Sequence, residues 1–210
     1  MNLNSTQITD ILITIQAVIT LLISLRAFTL FAKTRDDMLF SLGLSMGVIA
    51  LGGFVGLVGD IYLNGVFNTF WFRYLGQTVG YFFIFLSTLR GSERYRRGLR
   101  RWHVFATVLL MVLLLLTPVI PPHLSATTQT ALSASRALVC FIIFWRYVSI
   151  FFTKESRFSF LMGFAFFWIT CGIVIYSLKF TMPNPVLLDY VGDSVRIAGL
   201  GMLLAAFFLG

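Results

Sequence analysis

FFIFLSTLRGSERYRRGLRRWHVFATVLLMVLLLL, residues 82–116, is the stretch whose reading decides the fold. Two apolar runs flank a segment that carries Arg90, Arg94, Arg96, Arg97, Arg100 and Arg101. About 20 apolar residues are needed to cross a hydrocarbon core of roughly 30 Å. Arginines beside such a run are held on the cytoplasmic side, because carrying them across is costly. The stretch reads as a span entering the cytoplasm, a basic connection and a span leaving it.

Working outward, the same alternation extends over the whole chain. Its 210 residues are 58% hydrophobic and 11% charged, against roughly 25% charged in an average soluble domain, and mean hydropathy is +0.90. A soluble fold cannot hide that much apolar surface, and at about 20 residues per span little is left over for a soluble domain. Apolar windows bounded by charges, prolines and glycines place helices at 8–32, 38–63, 66–89, 103–120, 128–152, 158–181 and 186–210. The predicted fold class is all-α: a polytopic membrane protein, with residues 1–210 forming a single bundle of seven transmembrane helices.

Counting basic residues orients the bundle. Arg26, Lys33 and Arg35 lie at the first connection, the six arginines above at the third, and Arg146, Lys154 and Arg157 at the fifth. The second, fourth and sixth connections hold Asp60, Asn64, the Pro121-Pro122-His123 turn and the Pro183-Asn184-Pro185 turn, with Lys179 as a nearby cation. Residues 1–10 contain no basic residue and no cleavage pattern, so an uncleaved first span is expected. These counts place the N-terminus outside and the C-terminus inside a cell membrane, with a prokaryotic origin expected. The net charge of +8, which in a soluble protein would point to nucleic acid, reads here as topology, and no nucleic-acid partner is expected.

Cys140 and Cys171 fall within apolar runs, where free cysteine packs as a small hydrophobe, and no disulfide framework is expected. Tyr62, Trp71, Trp102, Trp145 and Tyr147 fall near the water interfaces, where amphipathic rings are favoured. Trp168 sits mid-span, and core or lipid packing is expected for it.

A weak internal repeat is visible. A shift of 120 residues lays Phe31 on Phe151, Phe40 on Phe160, Gly43 on Gly163, Ile49 on Ile169 and Gly52 on Gly172, and a shift of 123 lays Arg73 and Gly76 on Arg196 and Gly199. If the repeat is real, the plan is three plus one plus three, with parallel halves 8–89 and 128–210 linked by the helix 103–120. Gly43 and Gly47, Gly52 and Gly56, and Gly76 and Gly80 have the four-residue spacing of close helix packing.

An ionisable side chain away from a helix end inside a bilayer is a candidate functional residue. Arg73, Arg136 and Arg196 are of this kind, roughly 10 to 15 Å from the outer side at about 1.5 Å per residue. Asp10, Asp60, Asp189 and Asp193 are the available counter-charges. Asp189, Asp193 and Arg196 share one helical face, as do Arg73 and Gln77. One reading is an outward-facing pocket in which Arg73, Gln77, Arg136, Asp189, Asp193 and Arg196 bind a small anionic ligand through charge-assisted hydrogen bonds. The other is a network of buried ion pairs fixing helix register, since four acids and the bases Arg73, Arg136, Lys179 and Arg196 nearly cancel.

Several chemistries lack their residues. The two histidines, His103 and His123, lie near opposite sides of the membrane, so no haem or metal is expected and no cofactor is assigned. The seventh helix has no lysine for a retinal Schiff base, and no nucleophile triad or Gly-rich phosphate loop is present, so an enzyme is not expected. The basic cluster of Arg94, Arg96, Arg97, Arg100 and Arg101 is expected to face anionic lipid headgroups at about 1 kcal/mol per residue, or a cytoplasmic partner.

The chain resembles the seven-helix sensory modules at the N-termini of bacterial and archaeal signalling proteins, including those preceding histidine kinases. The residues that carry the likeness are Phe40-Ser41-Leu42-Gly43, Phe72-Arg73 with Gly76 and Gly80, and the echo at Arg196 and Gly199. The resemblance implies a receptor that detects a ligand and relays helix movement to a cytoplasmic signalling protein. No output domain follows Phe207-Phe208-Leu209-Gly210, so the output is expected in a separate protein unless the chain is a fragment. The alternatives are a small-solute transporter with parallel three-helix repeats and an accessory subunit, in a homo-oligomer or a larger membrane complex.

Overall fold

The computed structural model describes residues 5–62, 69–89, 91–117, 119, 125–180, 182 and 185–209. Asn64, Arg90, Pro118, Pro121, Pro122, His123, Pro183 and Asn184, with the side chains of Asp60 and Tyr62, lie outside the described residues. Seven helices are described: α1 (Ser5–Thr34), α2 (Asp37–Tyr62), α3 (Phe70–Thr88), α4 (Glu93–Leu116), α5 (Ala126–Lys154), α6 (Arg157–Leu178) and α7 (Pro185–Leu209). No strand occurs among the described residues. All but α3 are long and apolar enough to cross a membrane, which makes six. α3 has 19 residues, and its first turns carry Arg73 and Gln77, which lower its hydropathy.

Consecutive helices run antiparallel, so α1, α3, α5 and α7 start at one end of the bundle and α2, α4 and α6 at the other, basic end. α1, α2, α3, α5, α6 and α7 form a closed ring, each packed on its two neighbours in that order, while α4 touches α2 and α3 from outside. Exchanging α1 with α5, α2 with α6 and α3 with α7 maps the ring contacts onto themselves.

The basic-end corners repeat in detail. After α1 the Arg35 amide donates to Phe31 O at 2.8 Å, and after α5 the Glu155 amide donates to Phe151 O at 2.7 Å. Both residues are left-handed, with φ of 58° and 47°, the αL stop that ends a helix by satisfying a free carbonyl. Phe31 meets Phe40 at 5.3 Å between ring centroids, and Phe151 meets Phe160 at 5.4 Å. Arg73 lays its Cγ over Gly52, and Arg196 sets its backbone N and Cβ against Gly172.

The core runs through the middle of the ring, with Ile23, Met46, Ile143, Met162, Phe166, Ile169 and Leu203 fully enclosed. The α6 and α7 backbones approach closely, so that a Cβ at Gly172 would stand 2.7 Å from Arg196 N and Gly192 O. Tyr147 is buried, stacked on Phe166 at 6.2 Å with its hydroxyl 3.6 Å from Met38 Sδ towards the basic end. Trp168 packs edge-on against Phe164 and Phe167, whereas Trp102 and Trp145 are exposed.

α4 begins at Glu93, ten residues before the expected start at 103, because hydropathy does not register an arginine-rich helix while arginine itself is a good helix former. Ser92 caps it, accepting from Tyr95 N at 3.3 Å. Arg94, Arg96, Arg97, Arg100 and Arg101 are therefore helical, not part of a connection. Arg100 pairs with Asp37 at 3.4 Å, and the other four are exposed. Further along, buried His103 stacks on Phe83 at 4.2 Å and 3°, and its Nε2 lies 3.4 Å from Ser45 Oγ. Those contacts dock α4 on the ring. Its far side presents Phe105, Val108, Leu109, Val112 and Leu115.

Candidate functional site

At the end where α1, α3, α5 and α7 begin, the ring encloses a cavity of about 220 Å³, room for roughly seven waters at about 30 Å³ each. It is lined by Arg73, Gln77, Arg136, Asp189, Asp193 and Arg196, the six residues expected from the sequence, with Thr9, Asp10, Ile13, Tyr74, Tyr176 and Lys179. Helical spacing aims them inward. Asp189, Asp193 and Arg196 fall four and three apart on α7, Arg73 and Gln77 four apart on α3, and Ser133 and Arg136 three apart on α5.

Two cations of the lining are neutralised. Arg196 donates from Nη2 to Asp193 Oδ1 at 2.8 Å and to Gln16 Oε1 at 2.5 Å, all three residues being buried. Lys179 donates to Asp189 Oδ1 at 2.9 Å, with Nζ 3.8 Å from the centre of the Tyr176 ring.

The other two have no carboxylate partner among the described residues. Arg136 is 3% exposed, yet its partners are neutral: Nη1 donates to Gln77 Oε1, Nη2 to Ser133 Oγ at 2.8 Å, and Nε to Leu132 O at 3.3 Å. The Arg136 guanidinium also lies over the Tyr74 ring, 4.9 Å from its centre. Arg73 lays its stem along Gly52 and Gly56, and among the described residues its guanidinium has no carboxylate within ion-pair distance. On α1, across the ring from α5, Asp10 has no cation within ion-pair distance among the described residues. Between the two tyrosines, the hydroxyls of Tyr74 and Tyr176 meet at 2.9 Å, tying α3 to α6 across the ring.

The ion-pair reading thus accounts for half of the basic residues. A guanidinium at membrane depth costs at least about 2.5 kcal/mol even on insertion scales. Arg136 bears that cost with hydrogen bonds but no counter-charge from the described residues. Such a group, facing a cavity that the Arg73 guanidinium also lines, has the fork geometry that holds an anion bidentately.

Tyr74, Tyr176 and Gln16 belong to this region and do not emerge from the charge pattern. One signal points to Gln16: the 120-residue shift places it on Arg136. Among the described residues no group of three or more His, Cys, Asp or Glu side chains stands together as a metal site. A second cavity, of about 240 Å³, opens at the basic end between Asp36, Asp37, Ser87, Thr88, Tyr95 and Arg96. Tyr81 and Ile84 on α3, with Cys140 and Ile143 on α5, fill the core between the two. No family model, curated protein or solved structure matches this chain.

Proposed function

We propose that this chain is a seven-span protein of the cell membrane that binds a small anion in the cavity beside Arg73 and Arg136, from outside the cell. The orientation rests on the basic end, where Arg94 to Arg101 are retained on the cytoplasmic side. α3 is the seventh crossing, its polar turns sheltered inside the ring. The observation that carries the anion reading is the buried Arg136 guanidinium, bonded to an amide, a hydroxyl and a carbonyl and, among the described residues, to no carboxylate. Purified protein in lipid nanodiscs, titrated with acetate, phosphate, succinate and glutamate, tests it. At least one is expected to bind, and Arg136→Gln to weaken that binding at least tenfold. No binding by any of the four, or equal binding by the variant, would overturn the reading.

The bound anion serves a receptor. The packed core beneath the cavity turns occupancy into helix movement, which a separate cytoplasmic protein reads at the α3–α4 end. A carrier is the second reading, favoured by the exchange relation of the two three-helix halves around the cavity, the arrangement of carriers built from parallel repeats. Uptake of the bound anion into proteoliposomes supports the carrier. Co-purification of a cytoplasmic regulator without uptake supports the receptor.

A further inference from the structure

The charges left over in the cavity specify more than an anion. Lys179 with Asp189 and Arg196 with Asp193 cancel in pairs at 2.9 and 2.8 Å. Among the described lining residues, what remains is two cations and one carboxylate: Arg73 on α3, Arg136 on α5 and Asp10 on α1. In the ring order α1 stands opposite α5, so Asp10 and Arg136 occupy facing walls. The backbone keeps the exchange of halves while the charges break it, since the shift of 120 carries Asp10 to Thr130 and Gln16 to Arg136. A symmetric ligand does not fit that lining.

We propose that the ligand is an acidic amino acid, with its two carboxylates on Arg73 and Arg136 and its ammonium on Asp10. This rests on the reading of the cavity as an anion site. Two guanidiniums take one carboxylate each in the fork geometry that suits arginine. Asp10 takes the ammonium, and a ligand of net charge minus one neutralises the charge of plus one left over among the described lining residues. The volume of about 220 Å³ suits a molecule the size of aspartate or glutamate. Related ligands each leave a charge stranded. A dicarboxylate without an amine leaves Asp10 bare, and a neutral amino acid leaves one arginine bare. Sites whose buried polar groups go unpaired discriminate strongly against the ligand that lacks the partner.

The test compares glutamate, aspartate, succinate and alanine on the full chain in nanodiscs, by calorimetry or ligand-induced thermal shift, with wild type and Asp10→Asn. In wild type, glutamate or aspartate is expected to bind at least tenfold more tightly than succinate and than alanine. Asp10→Asn is expected to narrow the gap to succinate at least tenfold. Succinate or alanine binding as tightly as both acidic amino acids overturns the proposal and leaves the anion site standing. No binding by these ligands, acetate or phosphate removes the anion site itself. The wild-type series decides even where Asp10→Asn fails to fold, and an unchanged glutamate-to-succinate ratio in a folded variant also overturns the proposal.

Discussion

Arg136 on α5 reaches Gln77 on α3, so a buried guanidinium meets an amide where a carboxylate would have neutralised it. One layer over, Arg196 meets Asp193 at 2.8 Å. The two arginines line one cavity, and their different partners predict different responses to substitution.

The first prediction follows from that difference. Arg196→Gln leaves Asp193 buried without its cation and is expected to cost about 3 kcal/mol or more. Arg136→Gln removes a charge that has no carboxylate partner among the described residues and is expected to change stability by less than about 1 kcal/mol, or to raise it. Thermal unfolding in a fixed detergent checks the contrast. Equal destabilisation by both would show that Arg136 is compensated after all.

A second prediction concerns the α6–α7 seam. Gly172→Ala forces a methyl to within 2.7 Å of two α7 backbone atoms, which neighbours cannot yield by a rotamer change. A loss of about 1–3 kcal/mol is expected. Gly201→Ala meets nothing within 4 Å and is expected to gain up to ~1 kcal/mol from helix propensity. The melting temperatures of the two variants should move in opposite directions.

The third uses the repeated corners. Arg35 and Glu155 hold φ of 58° and 47°, a conformation that penalises any residue with a Cβ. Arg35→Gly and Glu155→Gly should each add about 0.5–1 kcal/mol, the relief of strain exceeding the extra freedom of glycine in the unfolded chain. Similar gains are expected because the two corners match. A gain at one and a loss at the other would break the equivalence.

The fourth tests orientation. With Cys171 replaced by Ala and Cys140 buried, Ala126→Cys is expected to react with a membrane-impermeant maleimide on intact cells. Glu93→Cys is expected to react only after lysis. Labelling of Glu93→Cys on intact cells would invert the proposed topology.

The arginine layer is legible in the sequence because Arg73, Arg136 and Arg196 interrupt apolar runs, and helical spacing says which neighbours share their faces. The pairing is not legible. Asp193 and Arg196 stand close in sequence, but Arg136–Gln77 and Arg196–Gln16 join helices far apart along the chain, and only the ring order brings them together. Tyr74 and Tyr176 carry no charge, so nothing marks them among seven tyrosines. The start of α4 is missed for a different reason: hydropathy measures where a helix enters lipid, whereas Ser92 and the arginines decide where the helix itself begins.

α4 stands outside the ring, and that placement has a consequence in parity. A trio of helices enters on one side of a membrane and leaves on the other, so two trios joined directly would point in opposite senses. One more crossing restores the sense, and on the proposed topology α4 supplies it. Its duty is to be counted. Beyond the patch where His103 meets Ser45 and Phe83, any sequence that is apolar and helical satisfies that duty. On that topology the outward residues from Phe105 to Leu115 answer to lipid and to helix propensity, and to no neighbour in the ring.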